Sequence, residues 1–242
     1  MKPIRYNSVI CKTSKDAACE FVWRFASLAN QYIYSKGYFN VALPGGSSPL
    51  EAFNILSTEY RTSLNWDKIN IFFTDERDVD KNDPLSNYRL VKERLIDTIG
   101  IPENNVFRFK TDISPEDSAK DYQDIIIQKT NGIGKLDAVF LGMGEDSHTA
   151  SLFPHHKSVQ ENKLLAVSEY IDKISMYRLT LTPRTINSAE NVIMYTLGES
   201  KCVAVRDCLQ GVIDINLHPA QVLNPDSCNV LWILDQESAK LL

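Results

Sequence analysis

The chain has 242 residues, 43% hydrophobic and 24% charged, a composition that suits a globular protein and excludes a disordered or fibrous one. Its formal net charge of −5 argues against nucleic acid or an anionic membrane surface as the main partner, while a small anion needs only a local basic pocket. No apolar run approaches the ~20 residues of a membrane span. The opening "MKPIRYNSVICKTSK" has no apolar core of the kind a secretory leader needs, and five cysteines with no CxxC pair read as reduced thiols of a cytoplasmic protein.

In chain order, the first predicted element is an amphipathic helix in "SKDAACEFVWRFASLANQYIYSKG", with Ser14 as N-cap and Gly37 just past its end. The strand-like run "FNVALPGG" (39–46) precedes helical "SPLEAFNILSTEY" (48–60), and "INIFFTDE" (69–76) precedes "SNYRLVKERLIDTIG" (86–100). Helical "SPEDSAKDYQDIIIQKT" (114–130) leads into the strand "LDAVFLGMG" (136–144). "LLAVSEY" (164–170) and "SMYRLTLT" (175–182), with only "IDKI" between, predict a hairpin or small antiparallel addition. "ENVIMYTLG" (190–198) precedes helical "SKCVAVRDCLQ" (200–210), and "NVLWILD" (229–235) precedes a short C-terminal helix.

Continuous apolar runs predict strands buried on both faces, as in a parallel sheet covered by helices. The alternation then predicts an α/β fold: doubly wound, a mostly parallel sheet with helices on both faces and a small antiparallel addition. With no internal repeat, low-complexity tract or linker, residues 1–242 read as a single domain. Ligands of such sheets bind beyond the carboxyl ends of the strands. Three unusual loops follow strands here: "PGGSSP", "TDERDVD" and "GEDSHTAS".

In "LPGGSSPLEAF", Gly45, Gly46, Ser47 and Ser48 lie between a strand and a helix whose first residue is predicted to be Pro49. Glycines permit close backbone approach, and the helix N-terminus and hydroxyls supply donors, which suits phosphate. A plain strand-to-helix turn with Ser48 as N-cap accounts for the same residues. The loop is neither a Walker A sequence nor GxGxxG, and "GMGEDS" has Ser147 where a third dinucleotide-binding glycine would stand.

In the second loop, Arg77 offers a planar donor fork for phosphate or carboxylate, and Asp75 and Glu76 are placed to hold that fork or to bind sugar hydroxyls. The alternative is a solvated loop with surface ion pairs. "DVDKND" imitates half of an EF-hand loop but has Asp83 at position six and Arg89 at position twelve, so no calcium site is predicted.

The third loop carries His148, whose imidazole can take a proton from water at neutral pH and return it to a leaving group. Asp146 and Glu145 are close enough in sequence to orient the ring, and Ser147, Thr149, Ala150 and Ser151 are small enough to leave room for a substrate. A structural histidine remains the alternative on these residues alone. His155 and His156 give no zinc spacing with it, so no metal is predicted, and without a GxSxG elbow any hydrolysis would use activated water.

Together the motifs resemble the 6-phosphogluconolactonase family of the glucosamine-6-phosphate deaminase/isomerase-like fold. The resemblance rests on "PGGSSP", "TDERDVDKNDPLSN", "LGMGEDSHTASLFP", "YRLTLTPRTINSAENVIMYTLGESK" and "HPAQVLNPDSCNVLWILD", which run in order over residues 40 to 235. It implies hydrolysis of 6-phospho-D-glucono-1,5-lactone to 6-phosphogluconate by water activated at His148, aided by Asp146, with no cofactor. It also implies that Arg77, Lys201 and Gly45–Ser48 hold the substrate phosphate, with Arg178 a further candidate for that pocket and Asp75 beside it. A monomer acting on a small phosphorylated lactone is expected. The deaminase branch carries DEY and GHIAFNEP-like segments where this chain has Asp75-Glu76-Arg77 and "SHTASLFP"; that activity, and a non-catalytic sugar-phosphate sensor, are the alternatives. Two departures stand out. Ser147 replaces the family's glycine, at a strain of order 1–2 kcal/mol if the position needs a positive φ. Pro44 replaces a serine and removes one N–H donor.

Overall fold

The computed structural model describes residues 6–242. The first strand, β1 (Asn7–Cys11), was not expected: its half-exposed "NSVIC" lacks the continuous apolar run of a central strand. Helix α1 (Ser14–Lys36) follows, capped by Thr13 rather than Ser14. The Thr13 hydroxyl accepts from the Asp16 amide at 3.1 Å while the Asp16 carboxylate accepts from the Thr13 amide, a reciprocal box that Ser14 has no N3 acid to complete. Gly37 ends the helix at φ +89.

Next come β2 (Phe39–Leu43), α2 (Leu50–Thr58) and β3 (Ile69–Phe73). Pro49 stands one position outside α2 as its N-cap, and no side chain caps the helix, so neither Pro49 at the first helical position nor Ser48 as cap holds. The run expected to be one strand over 69–76 breaks at Thr74, and β4 (Asp75–Arg77) joins a different sheet. The helix expected over 86–100 is built from α3 (Asn87–Val91), a π-helical stretch Lys92–Ile96 and α4 (Asp97–Ile99). The short β5 (Val106–Phe107), α5 (Pro115–Lys129) and β6 (Ala138–Leu141) follow. The predicted hairpin is β7 (Ala166–Ile171) and β8 (Met176–Leu181). After α6 (Pro183–Ser188) come β9 (Asn191–Thr196), α7 (Cys202–Gln210) and β10 (Asn229–Asp235). The expected C-terminal helix is a turn instead. The Asp235 carboxylate takes the Ser238 and Gly198 amides, offering the backbone a local alternative to helix.

The main sheet has strand order β1-β10-β9-β6-β2-β3-β5 and is parallel throughout; the small sheet, β4-β8-β7, is antiparallel. Strands β2 and β6 are buried along their whole length, as the continuous apolar runs required. Their side chains alternate between two cores. Val41, Leu43, Ala138 and Phe140 face α1, α2 and α3–α4, whereas Ala42, Val139 and Leu141 face α5, α6 and α7. Helices therefore cover both faces. From β2 the chain runs outward to β3 and β5, then returns to place β6 on the other side of β2. This reversal opens a crevice at the carboxyl ends of β2 and β6, where ligands of open α/β sheets sit.

Candidate functional site

The crevice is a cleft of about 220 Å³ lined by residues 44–48 after β2, Thr74, Asp75 and Arg77 after β3, and the loop after β6 that carries His148. Arg178 of β8 and Lys201 before α7 complete the wall. Of the residues singled out in the sequence, Gly45, Gly46, Ser47, Ser48, Asp75, Arg77, His148, Arg178 and Lys201 all line it. Asp146 stands behind His148.

The cationic wall is set by strand register. Arg77 of β4 and Arg178 of β8 are direct antiparallel partners, which places two like charges across from each other. Such pairs destabilise a sheet unless something else satisfies them. Both Nε atoms are buried without a hydrogen-bond partner among the described residues. Burial pulls the Arg178 pKa down, Asp75 counteracts it, and Arg77 adds to the fall. Lys201 occupies the N-cap of α7, its side chain mostly buried and 3.8 Å from Glu145. Three cations and the Gly45–Ser48 backbone thus face one small space, an arrangement complementary to a phosphate group.

Opposite them, His148 Nδ1 lies 2.5 Å from Asp146 Oδ1, and the imidazole stacks on Phe153 with centroids 4.4 Å apart. The hydrogen bond to His148 holds the Asp146 carboxyl well below the usual carboxylate range against the opposing effect of burial, and Lys173 adds a 3.2 Å contact to Oδ2. An ionised carboxylate only accepts, so Nδ1 carries a proton, and in the neutral form of the ring the lone pair lies at Nε2. Gly144 makes this pairing possible: a Cβ there would stand 2.1 Å from His148 Nδ1 and 2.8 Å from Asp146 Oδ1.

The model of a family described as glucosamine-6-phosphate isomerases/6-phosphogluconolactonase matches residues 12–232. A probable 6-phosphogluconolactonase 2 of Oryza sativa subsp. indica is 30% identical over 259 residues, spanning 100% of this chain and 92% of the relative. The chain belongs to the glucosamine-6-phosphate isomerase/6-phosphogluconolactonase family. A 6-phosphogluconolactonase of Nostoc sp. is 34% identical over 209 residues, 84% of each chain. The solved structure of 6-phosphogluconolactonase from Trypanosoma brucei superposes with a TM-score of 0.86 at 25% identity, covering 99% of both chains.

In this member of the glucosamine-6-phosphate isomerase/6-phosphogluconolactonase family, the acids after β3 do not hold the Arg77 fork. Glu76 is buried and accepts from the amides of Arg77, Asn87 and Tyr88 and from the Ser86 hydroxyl, all within 3.0 Å, and so fixes the start of α3. Burial pushes its pKa up against the pull of those donors. Asp75 lines the cleft, but its Oδ2 accepts from Ser151 Oγ at 2.6 Å and its Oδ1 from Thr74 and Asn87. It ties the Arg77 loop to the His148 loop. Arg77 is oriented instead by donating to the Leu85 carbonyl. Glu145 contacts Lys201 rather than the histidine.

Of the small residues around His148, Ala150 and Ser151 line the cleft, whereas Ser147 and Thr149 do not. Ser147, Thr149 and Ser151 are buried and internally bonded: Thr149 Oγ1 donates to the Gly142 carbonyl, and the Ser151 amide to Thr180 Oγ1. These bonds fix the loop beside the cleft. Ser147 does adopt φ +64, the strained region its position implied. Sequence reasoning missed Asn87 and Phe153. Asn87 packs so closely on Gly45 that a Cβ there would fall 1.8 Å from its Oδ1, and its serine-asparagine setting after the Arg77 loop was the available signal.

No group of three or more His, Cys, Asp or Glu side chains among the described residues is placed to hold a metal ion, and no helix among them is long and apolar enough to cross a membrane.

Proposed function

We propose that the chain hydrolyses 6-phospho-D-glucono-1,5-lactone to 6-phosphogluconate. One observation carries this reading: the Asp146-oriented imidazole of His148 and the in-register arginines Arg77 and Arg178 face the same small cleft. Arg77, Arg178, Lys201 and the Gly45–Ser48 backbone bind the phosphate at one end. His148 Nε2 removes a proton from water as its oxygen bonds to the lactone carbonyl carbon. The tetrahedral adduct then collapses with cleavage of the bond from that carbon to the ring oxygen, which takes the proton back from the imidazolium. No other base is required, because a lactone is already activated, and general base catalysis contributes ~10²–10⁴-fold. Phosphate binding remote from the carbonyl orients it toward the water.

The two cores share one sheet, which supports a single domain. The described cysteines form no disulfide, which supports a reducing, cytoplasmic setting.

The test is lactone hydrolysis followed by pH-stat on freshly made substrate, with the spontaneous reaction subtracted. Turnover above that baseline is expected, and His148→Ala should lower it by at least ~10²-fold. Ammonia release from glucosamine 6-phosphate without lactone hydrolysis would replace this reading with a deaminase. Binding of 6-phosphogluconate with lactone loss at the spontaneous rate would replace it with a sensor.

A further inference from the structure

Ser147 is the residue between Asp146 and His148, and its backbone stands at φ +64, where a non-glycine residue needs outside support. That support comes from a distant segment. Ser147 Oγ is hydrogen-bonded to His218 Nδ1 at 3.1 Å, and the Ser147 carbonyl accepts from the Ala220 amide at 2.9 Å. Its own amide donates to the Gly144 carbonyl at 3.1 Å.

The distant segment is itself fixed. The His218 amide donates to the Asp214 carbonyl and the His218 carbonyl accepts from the Gln221 amide, each at 2.8 Å. The buried Gln221 side chain then bonds the Asp214 amide and the Asp207 and Val212 carbonyls. His218 therefore sits on a braced turn. It does not line the cleft; with Asp146, Ser147 and Phe153 it lines a separate cavity of about 440 Å³ on the other side of the loop. Its imidazole bonds the residue that precedes His148.

We propose that His218 is a positioning residue for His148, acting through Ser147: it keeps the left-handed turn that sets Asp146 and His148 side by side. This rests on the reading of His148 as the base. Removing His218 frees Ser147 to relax toward negative φ and carries His148 off its line to the substrate. A glycine at 147 adopts the same φ unaided and removes the need for the clamp.

The experiment compares wild type, His218→Ala, His218→Asn and the double variant Ser147→Gly/His218→Ala, all as the full chain. It reads kcat and KM for the lactone together with the NMR signals of the His148 ring in substrate-free protein. In His218→Ala, kcat should fall about tenfold, less than the ~10²-fold of a full 1 Å misplacement, with KM largely unchanged. The His148 Nδ1–H resonance should move or broaden. His218→Asn, which offers a polar atom where Nδ1 was, should recover most of the loss. The double variant should regain both the rate and the ring signal. A His218→Ala protein with wild-type kcat and an unmoved ring signal, or a folded double variant as slow as the single, overturns the proposal. If the wild type fails to hydrolyse the lactone, the proposed function falls, and the ring signals across the four proteins alone decide the role of His218.

Discussion

Gly144→Ala tests how closely the base and its acid are packed. The added methyl carbon would stand 2.1 Å from His148 Nδ1, 2.2 Å from Cε1 and 2.8 Å from Asp146 Oδ1. Ordinary contact begins near 3.4 Å, so the ring has to retreat by about 1.3 Å, and it cannot do so while keeping its 2.5 Å bond to Asp146. Gly144 itself is not in the left-handed region, so the expected effect is steric rather than a backbone penalty. A misplacement of ~1 Å lowers turnover by about 10²-fold, which corresponds to about 2.7 kcal/mol of transition-state stabilisation. The phosphate wall is untouched, so 6-phosphogluconate should bind as it does to wild type. The assay pairs kcat from pH-stat hydrolysis with the product inhibition constant, and a urea melt checks that overpacking has taken no more than ~1–3 kcal/mol of stability. A folded variant that turns over at the wild-type rate would refute the argument that Gly144 exists to admit the His148–Asp146 pair.

Other consequences can be checked in the same system. Arg178→Ala removes one of two facing guanidiniums and should weaken phosphorylated ligands by ~10–10²-fold, the range of a charged hydrogen bond, with little effect on unphosphorylated analogues by calorimetry; equal losses for both would remove it from the phosphate pocket. Asp146 has a folded-state pKa below its unfolded value, so its contribution to stability is present above about pH 4 and is lost as pH falls toward the depressed value. Denaturant melts should therefore show the gap between wild type and Asp146→Asn narrowing on acidification, and a gap that widens would contradict the assignment. Ser151→Ala leaves Asp75 Oδ2 without its 2.6 Å donor and should lower unfolding free energy by ~1–3 kcal/mol in the same melts; no loss would mean that the two loops are not tied together there.

The sheet was legible where strands are buried on both faces. "FNVAL" and "AVFL" announce themselves because every side chain but Asn40 is apolar, and that continuity also implied parallel pairing. Edge strands carry no such signal: β1 mixes exposed and half-buried residues, and β5 has only two. The break at Thr74 was hidden because "INIFFTDE" reads as one extended run, while the switch to a second sheet depends on pairing with β8 about a hundred residues later. The loops of the site were legible from glycines, hydroxyls and an isolated histidine at strand ends. What the acids do was not. Asp75 and Glu76 look alike beside Arg77, yet one binds a hydroxyl from the His148 loop and the other takes backbone donors at the start of α3. Local spacing carries no record of partners that only tertiary folding supplies, and His218 escaped assignment for the same reason.

The outer position of β1 has a consequence for biosynthesis. Among the described residues its only neighbour in the sheet is β10, and Tyr6 just before it donates to the Leu223 carbonyl, 217 residues away in sequence. During translation β1 has no strand to pair with until β10 has been delivered, although β2, β3 and β6 are available much earlier. Closure of so long a span is entropically slow. The nascent chain is thus expected to assemble the floor of its cleft first and to seal the far margin of the sheet last, and a substitution that blocks β1 pairing should trap a species with β10 unpaired on one side.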